Sequence, residues 1–347
     1  MRIITYCEAI NEALAQEMDQ NDKVFVYGID VADHKRIFGT TKGLVERFGP
    51  QRCFSTPLSE DAMTGFGLGA AINGLRPVHV HMRVDFMLLA MNQLVNMVSS
   101  FRYSTYGNLQ VPMVIRAVIG KGWGQSFQHS KTMHSCFAHI PGLKVVLPST
   151  PSEAKCCLIS AMREDNPVIV IEHRLLYDVS GEVPVEPVSF PLGKGRVLRT
   201  GDAITVVAVS LMNAEAIRAA EILSRKHNIN IEVIDPVSVY PLDEDLIYSS
   251  VKKTRQCIIV DNDWVFCGFS AEISALINEK CFGLLKTPIK RIGFASVPCS
   301  CTRPLEDCFY PNAVDIIRAV EEKLGLSKSD LSDEEFYSYE NKFKGPF

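Results

Sequence analysis

Short valine- and isoleucine-rich runs alternate with helix-periodic stretches along most of this chain, and few folds accept that pattern. Strand candidates fall at 24–28, 77–81, 111–119, 144–147 and 167–171, with helix candidates between them near 41–48, 60–73, 86–101 and 152–163. Apolar strands separated by whole helices pair in parallel, with helices covering both faces of the sheet. Thr5 with Glu8 forms a capping-box signature, followed by Ile10, Ala13, Leu14 and Met18 at helical spacing. Met1–Ile4 are read as leading directly into that helix. The alternation stops at 180–193, where Pro184, Pro187 and Pro191 interrupt any helical period. A second series follows, with strands near 203–210, 229–234, 256–260 and 289–292 and helices near 213–225, 245–252, 269–278 and 313–324.

The expected fold class is therefore α/β, with two domains that are each a mostly parallel sheet carrying helices on both faces. The domains are placed at 1–180 and 194–326, joined by a linker at 181–193 and followed by an extension at 327–347. That extension contains Phe336, Tyr337, Tyr339, Phe343 and Phe347. It reads either as a solvated tail or as a segment docked on a neighbouring surface.

A length of 347 residues suits two domains at roughly 150 residues each. No apolar run approaches the ~18 residues of a membrane helix, and the first residues resemble neither a signal nor a transit segment. A cytoplasmic protein without membrane contact is expected. Lys and Arg total 36 against 40 acidic residues, a net charge of −4 that offers no basic field for nucleic acid. The eleven cysteines include no CxxC pair. Cys299, Cys301 and Cys308 form the one tight group and are read as reduced packing thiols rather than metal ligands.

Two glycine runs, 65–69 and 120–124, invite a nucleotide-binding reading. Both lack the third glycine at the spacing a dinucleotide fingerprint requires, and the first lies within a helix candidate, where glycine permits close packing. No P-loop, HExxH or GxSxG is present. The segment 56–65 is more informative: Pro57 stops the preceding chain, Ser59 can cap, and Glu60 and Asp61 fall in the first helical turn, where the macrodipole favours negative charge. By composition alone Glu60 is a helix-end carboxylate, His129 a loop histidine and Phe86 a core residue.

The whole pattern nevertheless resembles the β subunits of the thiamine diphosphate-dependent E1 components of 2-oxo acid dehydrogenase complexes, the pyruvate and branched-chain family. The resemblance is carried by TPLSEDAMTGFGLGAAINGLRPV (56–78), NQLVN (92–96), QHS (128–130), PGLKVVLPSTPSEAK (141–155), NPVIVIEHRLLY (166–177), FPLGKGRV (190–197) and GFSAEI (268–273), in order over roughly residues 3–325. It implies a pyrimidine-binding first domain and a transketolase-type C-terminal domain.

By the same resemblance, Glu60 hydrogen-bonds N1′ of the aminopyrimidine, Phe86 packs on that ring and Met82 forms a neighbouring wall. His129 stands at the mouth of the site, where it transfers protons or steadies a lipoyl acyl acceptor. Arg83, Asp85 and Leu89 replace the family's usual residues beside the pocket. Arg83 and Asp85 either pair with one another or lead Arg83 to bind an extra anionic group. Lys121 and Trp123 enlarge a loop that is usually small. The family's potassium site, made largely of backbone carbonyls, maps to Met113, Ala161, Met162, Glu164 and Asn166. The Gly-Asp-Gly and Asn-Asn elements that hold Mg²⁺ and the diphosphate have no counterpart in this chain, so an α subunit is expected to supply them in an α2β2 heterotetramer. The implied activity is decarboxylation of a small 2-oxo acid and acyl transfer to the lipoyl group of an E2 acyltransferase. The alternatives are a split transketolase-like or acyloin-forming carboligase and a non-catalytic assembly subunit.

Overall fold

The structure, a computed structural model, describes residues 1–33, 37–121, 124–334 and 336. They form two compact units, one of residues 1–33, 37–121 and 128–192, the other of residues 124–127 and 193–334. Trp123 and most of the aromatic extension, Tyr337 to Phe347, lie outside the described residues.

The first unit is built on β2 (Val24–Gly28), β3 (Cys53–Ser55), β4 (Arg76–His81), β5 (Val114–Ile119), β6 (Lys144–Val146) and β7 (Val168–His173), which follow β1 (Arg2–Thr5) along the chain. The six strands are parallel and lie in the order β6-β7-β5-β4-β2-β3. The residues of the four central strands, β7, β5, β4 and β2, are buried almost without exception, as a sheet covered on both faces requires. The Thr5–Glu8 capping box forms as expected, with Glu8 N–H donating to Thr5 Oγ1 and Thr5 N–H to Glu8 Oε2.

Two boundaries differ from the sequence reading. Residues 2–5 are extended rather than leading straight into helix, because β1 pairs antiparallel with β8 (Ser180–Val183). That pairing also places residues 181–183, expected in the linker, inside an ordered strand. A two-strand ribbon joining positions nearly 180 residues apart leaves no local periodicity to read.

The helix expected over 86–101 is broken into an α-turn Val84–Met87, a 3₁₀ turn Leu88–Ala90, a π segment Gln93–Val98 and a short helix Phe101–Ser104. Ser99 and Ser100 both donate their hydroxyls to the Val95 carbonyl, competing with the regular ladder. Gly142 presses on the same turn, where a Cβ would stand 2.1 Å from the Ser99 carbonyl oxygen.

In the second unit, β9 (Arg196–Arg199), β10 (Thr205–Ala208), β11 (Glu232–Asp235), β12 (Ser238–Tyr240), β13 (Cys257–Trp264) and β14 (Lys290–Phe294) follow in chain order. Its sheet runs β14-β13-β10-β11-β9, parallel except where β9 meets β11. Helices Met212–His227, Glu244–Thr254, Phe269–Cys281 and Ala313–Leu324 pack around it. Cys299 is buried against Phe294 and Phe309, consistent with a packing thiol, while Cys301 and Cys308 are exposed. The start of the extension is docked: Ser329 N–H donates to Glu321 Oε1, and Arg225 and Lys226 pair with Glu334 and Asp333. Among the described residues no helix is long and apolar enough to cross a membrane.

Candidate functional site

Glu60 opens the helix Glu60–Ile72 that follows β3. Ser59 occupies the N-cap position, but its side chain makes no capping bond, so the acidic first turn itself complements the helix dipole. The neighbouring Asp61 accepts from Gln93 Nε2 at 3.1 Å, which ties this turn to the π segment. No described residue hydrogen-bonds the Glu60 carboxylate, which is half-buried. The glycines of this helix do two jobs. At Gly67 a Cβ would collide with Tyr27 Oη at 2.1 Å and Met113 Cε at 2.6 Å, so glycine is what allows the helix onto the sheet. At Gly69 nothing lies within 4 Å, and the helix face is smooth and open.

Met82, Arg83, Asp85, Phe86 and Leu89 follow the end of β4, at the carboxyl edge of the parallel sheet where open α/β folds place their sites. Phe86 is 38% exposed, unlike the core residue composition suggests, and Leu89 is 64% exposed. Met82 is half-buried and Arg83 buried. The structure brings Phe86 and His129 together, with ring centroids 5.3 Å apart at 79°, an edge-to-face pair. Asp85 pairs with Lys131, Oδ1 to Nζ 3.1 Å, its carboxylate side chain only 6% exposed. Of the two alternatives for Arg83 and Asp85, mutual pairing is not what Asp85 does: its carboxylate pairs with Lys131, a residue no motif pointed to. Burial raises the Asp85 carboxyl above its ordinary range, opposed by Lys131.

Beneath the site, alternation along β4 turns His79 and His81 to one face. His79 stacks on Tyr27 at 4.5 Å and 7°, lies 4.2 Å from the His81 ring, and meets Thr64 Oγ1 through Nδ1 at 3.3 Å. Thr64 is one turn along the helix that Glu60 opens, so this buried pair supports that helix from below. These residues were missed by the motif reading, although two histidines at i and i+2 in an apolar strand ending just before Met82 were a usable signal.

Burial lowers the His81 and His173 imidazoles to about 3, and holds His79 well below the ordinary histidine range, helped by its neighbour His81. Each is neutral when folded and takes up a proton near 6.5 when unfolded, so stability is lost as pH falls below about 6.5 toward 3. Between pH 7.5 and 5 each of His81 and His173 is expected to remove about 2 kcal/mol of stability. Urea titrations of wild type and His81→Gln at both pH values check this: the variant should lose about 2 kcal/mol less, and equal losses would contradict it.

The potassium candidates are backbone carbonyls near the amino end of the sheet. Those of Met162 and Glu164 both accept from Arg76 Nη1 at 3.0 Å, while Arg76 Nη2 reaches Asp165 Oδ1 at 2.7 Å. Met113 O accepts from Val168 N–H and Ala161 O from Glu164 N–H. The Asn166 side chain bridges Arg102 Nη1 and Glu164 Oε1. A guanidinium thus already supplies positive charge at two of these oxygens. Lys121 is buried. Among the described residues no group of three or more His, Cys, Asp or Glu side chains is arranged as a metal cluster.

Comparison with known proteins assigns the two halves separately. Residues 2–179 match the transketolase pyrimidine-binding domain and 193–316 the transketolase C-terminal domain. A solved structure titled split gene transketolase, inactive beta4 tetramer, shares the fold, with a TM-score of 0.75 at 22% identity over 94% of this chain and 99% of that one. Pyruvate dehydrogenase E1 component subunit beta of Rickettsia bellii is 39% identical over 320 residues, 92% of this chain and 98% of that protein. In Bacillus subtilis, 2-oxoisovalerate dehydrogenase subunit beta is 37% identical, covering 93% of this chain and 99% of that protein. Also from that organism, acetoin:2,6-dichlorophenolindophenol oxidoreductase subunit beta is 38% identical, covering 93% and 98%. This chain belongs to the thiamine diphosphate-dependent 2-oxo acid dehydrogenase E1 β-subunit family.

The residues present fit the aminopyrimidine end of that cofactor. Glu60 offers a carboxylate that no described residue engages, and Phe86 offers a partly exposed aromatic ring.

Proposed function

We propose that this chain is the β half of a two-chain E1 enzyme that decarboxylates a small 2-oxo acid and passes the acyl group to a lipoyl group on an E2 acyltransferase. The cofactor, once bound, supplies the electron sink for decarboxylation. Glu60 holds a proton against N1′ of the aminopyrimidine, Phe86 and Met82 bound that ring, and His129 moves a proton at the mouth. The observation that carries this reading is the unengaged Glu60 carboxylate, on a chain matched in both domains by E1 β subunits.

Mg²⁺ and the diphosphate are assigned to an α subunit, because this chain lacks the paired sequence elements for hard-cation binding. The assembly is proposed as α2β2 in the cytoplasm. Each carbonyl of Met113, Ala161, Met162 and Glu164 has a second lone pair, and potassium is proposed there with Asn166 alongside. A melting temperature unchanged on replacing KCl with choline chloride would remove potassium from the account.

A second reading, acyloin chemistry, is favoured by the acetoin oxidoreductase subunit among the relatives. Co-expression with the α-type chain encoded nearest to it, followed by assay with 2-oxo acids, acetoin and a lipoylated domain, separates the two. Reductive acylation of lipoate from a 2-oxo acid is the expected outcome. Acetoin cleavage without 2-oxo acid turnover would establish the second reading instead.

A further inference from the structure

The segment that carries His129 is reached by Arg174, whose Nη2 donates to the His129 carbonyl oxygen at 3.5 Å. It contains one 3₁₀ turn, Ser126–His129, and leaves it through Met133, whose φ of 59° lies in the left-handed region. Two rungs join this segment to the four-residue helix Val84–Met87: the Phe86–His129 ring pair at 5.3 Å, and the Asp85–Lys131 ion pair at 3.1 Å. Asp85 immediately precedes Phe86, and Lys131 follows His129 by two positions, so both contacts tie the same two short stretches of chain together.

The two rungs differ in stiffness. An edge-to-face contact is shallow and tolerates sliding. The Asp85 carboxylate, 6% exposed, accepts from Lys131 Nζ at 3.1 Å, a charge-assisted contact that is stronger than the ring contact beside it. A carboxylate so engaged is also a poor substrate ligand, since it would repel the carboxylate of a 2-oxo acid. We propose that Asp85 and Lys131 are positioning residues that set the His129 imidazole against Phe86 for proton transfer at the mouth of the site. The proposal rests on the catalytic reading of His129.

The test uses the assembled two-chain enzyme carrying Asp85→Asn, Lys131→Met, Lys131→Arg, Asp85→Lys or the charge swap Asp85→Lys/Lys131→Asp. Misplacing a catalytic group by about an ångström costs up to roughly 100-fold. Asp85→Asn and Lys131→Met are expected to lower kcat about 10- to 100-fold with KM for the 2-oxo acid within about twofold. Lys131→Arg should stay within about threefold of wild type, and the swap should recover at least about tenfold over Asp85→Lys alone. If the neutral variants fail to fold, Asp85→Glu replaces them, because one added methylene shifts the ammonium and should still depress kcat. Wild-type kcat in folded Asp85→Asn or Lys131→Met, or a loss confined to KM, overturns the proposal.

A second readout is independent of turnover. Diethyl pyrocarbonate labelling of His129, mapped by mass spectrometry, should be several-fold faster in Asp85→Asn than in wild type. Unchanged labelling overturns the positioning role whatever the reaction. Faster labelling in an enzyme inactive on every 2-oxo acid would instead sink the functional reading and leave the ion pair's structural effect established.

Discussion

Replacing Glu60 with glutamine in the assembled enzyme is expected to lower kcat by about 10²–10⁴, the range of a positioned acid–base group. Glutamine keeps the length and the helix-terminal position but cannot hold a proton as a carboxyl does. The substitution removes one negative charge from a first turn that retains Asp61, so folding should change little. Steady-state kinetics beside a thermal melt would separate the two effects. Turnover within about twofold of wild type would favour the assembly-subunit reading over the catalytic one.

The largest expected effect on stability lies across the sheet from the site. Arg116 on β5 and Glu172 on β7 are 0% and 1% exposed at their side chains and paired at 2.5 Å, with Tyr177 Oη donating to the same carboxylate at 2.8 Å. Glu172→Gln leaves a guanidinium in an apolar interior without its counter-charge, and should cost about 3–5 kcal/mol. Arg116→Met with Glu172→Leu should recover most of that, since a buried ion pair roughly breaks even against apolar neighbours. Recovery should be incomplete because Tyr177 then loses its acceptor. Urea unfolding of the single and double variants measures both, and a single variant as stable as wild type would refute the argument.

How much of the site was legible depended on how local its signal was. Glu60, Phe86 and His129 were visible because their flanking segments resemble a known family's pattern, whereas the helix start at 56–61 by itself marked Glu60 only as a helix-end carboxylate. Lys131 was not visible, because its ion pair is with a residue 46 positions away in the chain. The exposure of Phe86 was equally hidden: an aromatic opening an apolar run looks like core until the run is seen to break at Val95 and Ser99. The β1–β8 ribbon escaped for the same reason as Lys131.

Periodicity is a property of neighbouring residues, so the amino-acid order alone was enough for the alternating strands and helices, their parallel pairing and the division into two α/β halves. Strand order, the pairing partner of Asp85 and the burial of His79 and His81 beneath the Glu60 helix depend on which distant segments meet. Those meetings are set by packing and desolvation summed over the whole unit, and only the folded chain displays the sum.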